Sequence, residues 1–274
     1  MEKMPVPVLS FFFVFVIFPI FYTFMGSFKS NQELLTSGST IIPRQFVLDN
    51  YKQAWNLANF ERYTMNSIHM SFFIVIGTII TSTVAGYCFE RGRFRGKNTI
   101  FAIVVSSMFV SLGSLTLYPT VMIAKWFGIN KSLWGVILIR VLGMNVTNLF
   151  ITRTYIRTLS TEIDDAARID GCSFFSTFVY IIFPLLKPLI ATIAILEFRH
   201  SWNDYMMPMV FTMSKPERMP LVVGVISLKS SGEAASSWNL MLAGTAISMI
   251  PMILVYIIFN RYFIAGMTAG AVKG

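Results

Sequence analysis

An all-α integral membrane fold with six transmembrane helices is predicted by three observations: a shortage of charge, six long apolar stretches, and one short, strongly basic loop. Hydrophobic residues make up 55% of the 274 residues, Phe alone accounts for 26, and charged residues for only 13%. Mean hydropathy is +0.65. Soluble domains carry roughly 25% charge, so this chain cannot cover its apolar surface with a water-facing one. The net charge of +9 would suggest nucleic acid in a soluble protein. No basic-aromatic cluster supports that partner, and cytoplasmic loops of membrane proteins collect Lys and Arg. Two cysteines, Cys88 and Cys172, lie far apart and make no disulfide framework.

A spanning helix needs about 20 mostly apolar residues. The first stretch, residues 4–28, contains Pro19. It is longer than a signal-peptide core and lacks a small-residue cleavage site, so it reads as an uncleaved anchor. The second and third, 67–89 and 99–124, are uninterrupted by charge until their ends. Arg140, Asn145 and Asn148 interrupt the fourth, 133–155. The fifth, 183–210, begins apolar and then meets Glu197, Arg199, His200 and Asp204. The sixth, 239–263, carries Pro251. Prolines are tolerated in such helices where neighbours satisfy the freed backbone.

Residues 90–97 hold four basic side chains, Arg91, Arg93, Arg95 and Lys97, and so are expected in the cytoplasm. Alternation then puts both termini and the 157–183 loop inside. No linker divides the chain, which reads as one integral transmembrane domain, 1–274.

The 157–183 loop is too long for an ordinary bundle connection. Thr161 and Asp164 suggest a capping box, and Glu162, Asp164 and Asp165 put negative charge in a first turn, where the helix dipole favours it. Gly171 suits a left-handed C-terminal cap, and Ser173 can start a second helix ahead of Phe174, Phe175 and Phe178. Two short helices joined at Gly171 are therefore predicted. Ile163, Ala166 and Ala167 fall on one face, shallow enough for a partner's groove; the alternative is packing against the protein's own spans alone.

Asp165-Ala166-Ala167, Gly171, Ile181 and Pro184 resemble the EAA loop of ATP-binding-cassette importer permeases with every spacing kept. Asp165 stands where that pattern has Glu, and Phe183 where it has Leu. The tail from Asn260 to Gly274, with Glu33-Leu34, Asn50-Tyr51, Arg62-Tyr63, Asn66-Ser67 and Trp202-Asn203, resembles the maltose-type, carbohydrate-importing branch. The resemblance implies a type I importer permease fold, and a bacterial plasma-membrane subunit that is not itself an enzyme. Its implied partners are a second, homologous permease, two cytoplasmic ATPase subunits that hold ATP and Mg, an extracytoplasmic binding protein, and a saccharide, in membrane lipid. The loop residues Glu162, Asp164, Asp165, Ala166, Ala167, Arg168, Asp170, Gly171 and Pro184 would dock the ATPase. The tail 264–274, through Gly270, Ala271 and Lys273, would reach it too, and alone is expected to be poorly ordered.

Other motifs are weaker. Gly92 to Asn98 lacks the spacing and the hydroxyl of a phosphate loop. Ser114 with His200 would be an intramembrane serine–histidine pair, but small residues in spans more often serve helix packing. No His or Cys pair has metal-ligand spacing, so no cofactor is expected in this chain. Asn145-Val146-Thr147 matches a glycosylation sequon inside a span. A secondary transporter or channel is the competing class, since intramembrane charges suit ion pathways. Charges at a helix centre cost roughly 2.5–3.5 kcal/mol, so Glu197 and its neighbours must face protein or water. Pairing of Glu197 with Arg140 or Arg199 is one outcome. The other is a substrate pathway through Arg140, Asn145, Glu197, Trp202, Asn203 and Tyr205, with the two arginines leaving an anionic saccharide open.

Overall fold

Breaks within the apolar stretches shape this chain as much as the helices do. The computed structural model describes residues 6–36, 40–57, 59–110, 113–227 and 237–271, which form helices and turns without a strand. In chain order the helices are α1 (Val6–Ser27), α2 (Asn31–Thr36), α3 (Asp49–Leu57), α4 (Phe60–Arg91), α5 (Lys97–Ser106), α6 (Leu117–Trp126), α7 (Leu133–Leu142) and α8 (Val146–Thr158). They continue as α9 (Glu162–Ile169), α10 (Phe174–Thr177), α11 (Phe183–Leu185), α12 (Lys187–Trp202), α13 (Met206–Thr212), α14 (Leu221–Ser227) and α15 (Trp238–Ala271).

The chain divides into two units, Met1–Asn66 with Glu217–Ile253, and Ser67–Pro216 with Leu254–Gly274. The first is organised around the buried Asn50. Its amide donates to the carbonyls of Ser27 (2.9 Å) and Lys29 (2.8 Å), closing the end of α1, and its Oδ1 accepts from Asn239 at 2.7 Å. Asn66 likewise donates to the carbonyls of Glu217 and Met219, each at 3.0 Å. Lys29 is buried, and its ammonium donates to the Thr40 carbonyl. These polar side chains do what an isolated apolar helix cannot: they tie loop backbone to helix ends.

The second unit has two apolar clusters strung along α4. One joins Met70 and Ile74 to Val136, Ile137 and Phe211; the other joins Tyr87 to Ile156, Phe178, Ile182 and Ile193. Small residues let the helices approach closely. A β-carbon on Gly77 would lie 2.4 Å from Val141, and one on Gly86 2.5 Å from Thr152.

Among the described residues, three helices are long and apolar enough to cross a membrane singly, and five spans result if each of two bent pairs counts as one. The second stretch begins earlier than expected, at Phe60. The third is not one helix: α5 ends in a 3-10 turn, Ser107–Phe109, and α6 starts after another at Gly113–Thr116. The Ser106 and Ser107 hydroxyls turn back onto the carbonyls of Ala102 and Val104, the local competition that weakens serine as a helix former. The fourth bends by 42° between α7 and α8. The fifth is bent by 77° before α12, where Pro188 stands in the first turn, and α12 ends at Trp202 rather than running on to 210. The sixth overshoots: α15 continues to Ala271, so Gly270 and Ala271 are helical where a poorly ordered arm was expected. Lys273 lies outside the described residues.

Along α1 the side chains of Phe11, Phe13 and Phe15 are 65–72% exposed. A soluble monomer rarely leaves so continuous an apolar surface uncovered, whereas a bilayer solvates it.

Candidate functional site

Two places in the second unit concentrate the chemistry, an exposed helical hairpin and a polar cavity. The hairpin is α9 and α10. The Thr161 side chain makes no cap, contrary to expectation; Ser160 Oγ accepts from the Glu162 amide at 3.2 Å instead. Gly171 has φ +80°, with the Cys172 amide on the Ala167 carbonyl (2.9 Å) and the Gly171 amide on the Arg168 carbonyl (3.0 Å). That is a Schellman termination. No atom would crowd a β-carbon at Gly171, so backbone conformation alone calls for glycine. Ser173 caps α10 by accepting from the Ser176 amide at 3.2 Å.

Burial divides the hairpin's residues. Glu162, Asp165, Ala166, Arg168, Asp170, Gly171 and Pro184 are exposed, as is Ile169 at 87%. Asp165 pairs with Arg168 at 3.5 Å in the open. Ala167, expected on the docking face, is buried at 2% with Ile163 packed on the apolar cluster behind it. Asp164 is buried too, 2.9 Å from Arg91 and within 3.4 Å of the Tyr87 hydroxyl that donates to it. The helix therefore has an anchoring face, Asp164 and Ala167, and a free face, Ala166 and Ile169.

The cavity, about 440 Å³, opens where three helix breaks meet in this unit: before α6, between α7 and α8, and between α12 and α13. Met144 takes φ +42° at the second break. Asn145 restarts the chain as the N-cap of α8, its Oδ1 accepting from the Thr147 and Asn148 amides. Its Nδ2 and that of Asn148 both donate to Glu197 Oε1 at 2.7 Å. Glu197 is only 5% exposed, so two amides, not Arg140 or Arg199, hold the carboxylate. Arg140 pairs with Asp204 at 2.5 Å. Both carboxylates, Glu197 and Asp204, are thus partnered, as burial of charge requires.

Of the expected pathway residues, Arg140, Asn145 and Glu197 line this cavity. Asn203 and Tyr205 line an adjoining one of about 420 Å³ that shares Arg140, His200 and Asp204. Trp202 does not belong to either: it is 2% exposed and stacks on Phe198 at 5.3 Å. His200, Asp204, Thr116 and Thr120, none of them among the expected substrate-pathway residues, also line the cavity. Their signal is polarity at helical spacing, Thr116 with Thr120 and His200 with Asp204. Ser114 and His200 also share the cavity, with no hydrogen bond between them among the described residues. No group of three or more His, Cys, Asp or Glu among the described residues could hold a metal.

Residues 4–269 match the family described as binding-protein-dependent transport system inner membrane component. The arabinooligosaccharides transport system permease protein AraQ of Bacillus subtilis (strain 168) is 32% identical over 261 residues, covering 94% of this chain and 91% of AraQ. The galactooligosaccharides transport system permease protein GanQ of the same organism is 28% identical, covering 97% of this chain and 93% of GanQ. The sn-glycerol-3-phosphate transport system permease protein UgpE of Pectobacterium atrosepticum is 28% identical, covering 92% and 90%. A crystal structure of a bacterial ABC transporter involved in the import of the acidic polysaccharide alginate matches with a TM-score of 0.80 at 24% identity, over 93% of this chain and 94% of that one, a likeness of fold. The chain belongs to the binding-protein-dependent transport system inner membrane components, the multi-pass permeases of bacterial ABC importers, and has their type I fold.

Proposed function

We propose that this chain is one permease half of an ATP-driven importer for a neutral oligosaccharide. The observation that carries the reading is the polar cavity built from helix breaks in an otherwise apolar chain. A volume of about 440 Å³ is within the range of small-molecule sites. Its asparagine, threonine and methionine side chains suit hydroxyls and the apolar faces of sugar rings. Arg140 is already matched by Asp204, and Glu197 adds negative charge, so a neutral saccharide suits it better than an anionic one. The relatives named for arabino- and galactooligosaccharides support the same class.

In this reading the chain crosses the membrane six times, with α5 and α6 forming a broken span and both termini inside. It pairs with a second, homologous permease and receives substrate from an extracytoplasmic binding protein. The free face of α9 and α10 docks one ATPase, and the end of α15, with Gly270, Ala271 and Lys273, contacts the ATPase pair. ATP and Mg are held by those partners, and closure of the ATPases drives the permeases between inward- and outward-facing states. Uptake of labelled arabino- and galactooligosaccharides by proteoliposomes holding the whole complex is expected to require ATP on the ATPase side and to survive a proton uncoupler. Uptake that collapses with the uncoupler and ignores ATP would point to a secondary carrier and overturn the reading. Gly171→Val, which forces a β-branched residue to positive φ at a cost of roughly 1–2 kcal/mol, should abolish uptake, whereas Gly171→Asn should retain it.

A further inference from the structure

We infer that Arg91 is a positioning residue for transport, clamping the docking helix α9 to α8, whose far end holds the buried carboxylate of the cavity. The inference rests on the reading of α9 and α10 as the ATPase dock. Arg91 is the last residue of α4, and its side chain is 11% exposed. Its Nε lies 2.9 Å from Asp164 Oδ2 in the first turn of α9. Its Nη2 donates to the carbonyls of Leu159 at 2.6 Å and Ile156 at 3.3 Å, at the C-terminal end of α8. One guanidinium therefore joins the ends of two helices and the start of a third.

Tyr87, one turn earlier on α4, reinforces the joint. Its hydroxyl donates to Asp164 Oδ1, and its ring lies 4.5 Å from Phe174, the first residue of α10, and 5.2 Å from Phe178, the residue that follows α10. The whole hairpin is thus tied to α4 by groups on its hidden face, while the dock faces away.

From this joint α8 runs 13 residues, about 20 Å at helical rise, to Asn145 and Asn148, which hold Glu197. A short helix fixed by polar bonds at both ends moves as a rod, so a push on α9 is delivered to the cavity wall instead of being absorbed in the 159–161 turn. The planar fork of arginine suits this task, since it can meet a carboxylate and carbonyls together. A lysine presents a single charged point and would keep only part of the joint.

The test uses the assembled complex with native Cys88 and Cys172 replaced by Ala and a reporter cysteine at Ser114, on the cavity. The readout is the ratio of labelling rates by a water-soluble methanethiosulfonate, with and without a non-hydrolysable ATP analogue. In Arg91→Lys, and in the charge-free double variant Arg91→Met with Asp164→Leu, the ATPase should still co-purify. The nucleotide-dependent ratio should shrink toward one by between about two- and thirty-fold, the span of coupling effects for residues outside both ligand sites. A ratio unchanged from wild type in both variants overturns the inference, even if complex yield falls, because lost yield alone is what a merely structural role would give. Ile169→Asp, on the free face, is the control for the dock: it should release the ATPase. If the ATPase stays bound there, the docking reading itself fails, whatever the Arg91 variants do.

Discussion

Ala166 and Ala167 are neighbours in sequence, but the helix puts one in solvent and the other in the core, 2% exposed. Their substitutions should therefore separate fold from function. Ala167→Trp overpacks a filled site, which typically costs about 1–3 kcal/mol, and should lower the thermal midpoint of the purified complex. Ala166→Trp should leave that midpoint unchanged and reduce the ATPase that co-purifies. Equal loss of stability in both would show that the two faces of α9 are misassigned. Asp164 and Asp165 repeat the lesson with charge. Asp165 is open to solvent beside Arg168, while Asp164 is buried against Arg91. The motif spacing located both pairs, but residue type alone could not say which member points inward. That depends on where α4 and α8 lie.

At the scale of elements, the legible features were those set by local chemistry. Ser173 as a cap, the left-handed Gly171, and Pro19 and Pro251 inside long helices follow from side-chain donors and backbone sterics, and all are present. The breaks in the third, fourth and fifth stretches were illegible by apolar content, because a sliding window averages over a three-residue interruption. Gly143-Met144-Asn145 nevertheless carries the marks of a stop and a restart, glycine at one helix end and asparagine capping the next. Charges at 197–204 marked the polar patch, but not that Trp202 would turn away from it. Met144 is the strained position, a side chain at φ +42°. Met144→Val should destabilise the complex, because a β-branched side chain tolerates positive φ less well than methionine, while Met144→Gly should be neutral or slightly stabilising, since glycine removes the steric cost but adds chain entropy to the unfolded state. Thermal unfolding of the detergent-solubilised complex measures both. A Val variant as stable as wild type would mean the break relaxes to an ordinary helical geometry.

Direction across the bilayer belongs to the whole molecule, and one short segment is expected to set it. Basic residues are spread almost evenly between the two sets of loops, but residues 91–97 concentrate Arg91, Arg93, Arg95 and Lys97 beside a span end, the position where positive charge controls insertion. Two of the four are also structural: Arg91 holds the end of α8, and Lys97 donates to the carbonyls of Glu90 and Gly92, each at 3.0 Å. Arg93 and Arg95, which form no ion pair among the described residues, are the two whose exchange tests the expected orientation. Phe94, between them, is 45% exposed, and Lys215 follows the end of α13 on the opposite side of the predicted alternation. In a background with Cys88 and Cys172 replaced by Ala, an impermeant maleimide added to intact cells should therefore label Lys215→Cys and leave Phe94→Cys unreacted until the membrane is opened. Reversing Arg93 and Arg95 to Glu should lower the fraction inserted in this direction, because each lost cation weakens the retention of the loop while the structural contacts of Arg91 and Lys97 persist. Outside labelling at position 94 in the unmodified loop would invert the topology. It would also put the α9–α10 hairpin on the wrong face of the membrane for a cytoplasmic ATPase.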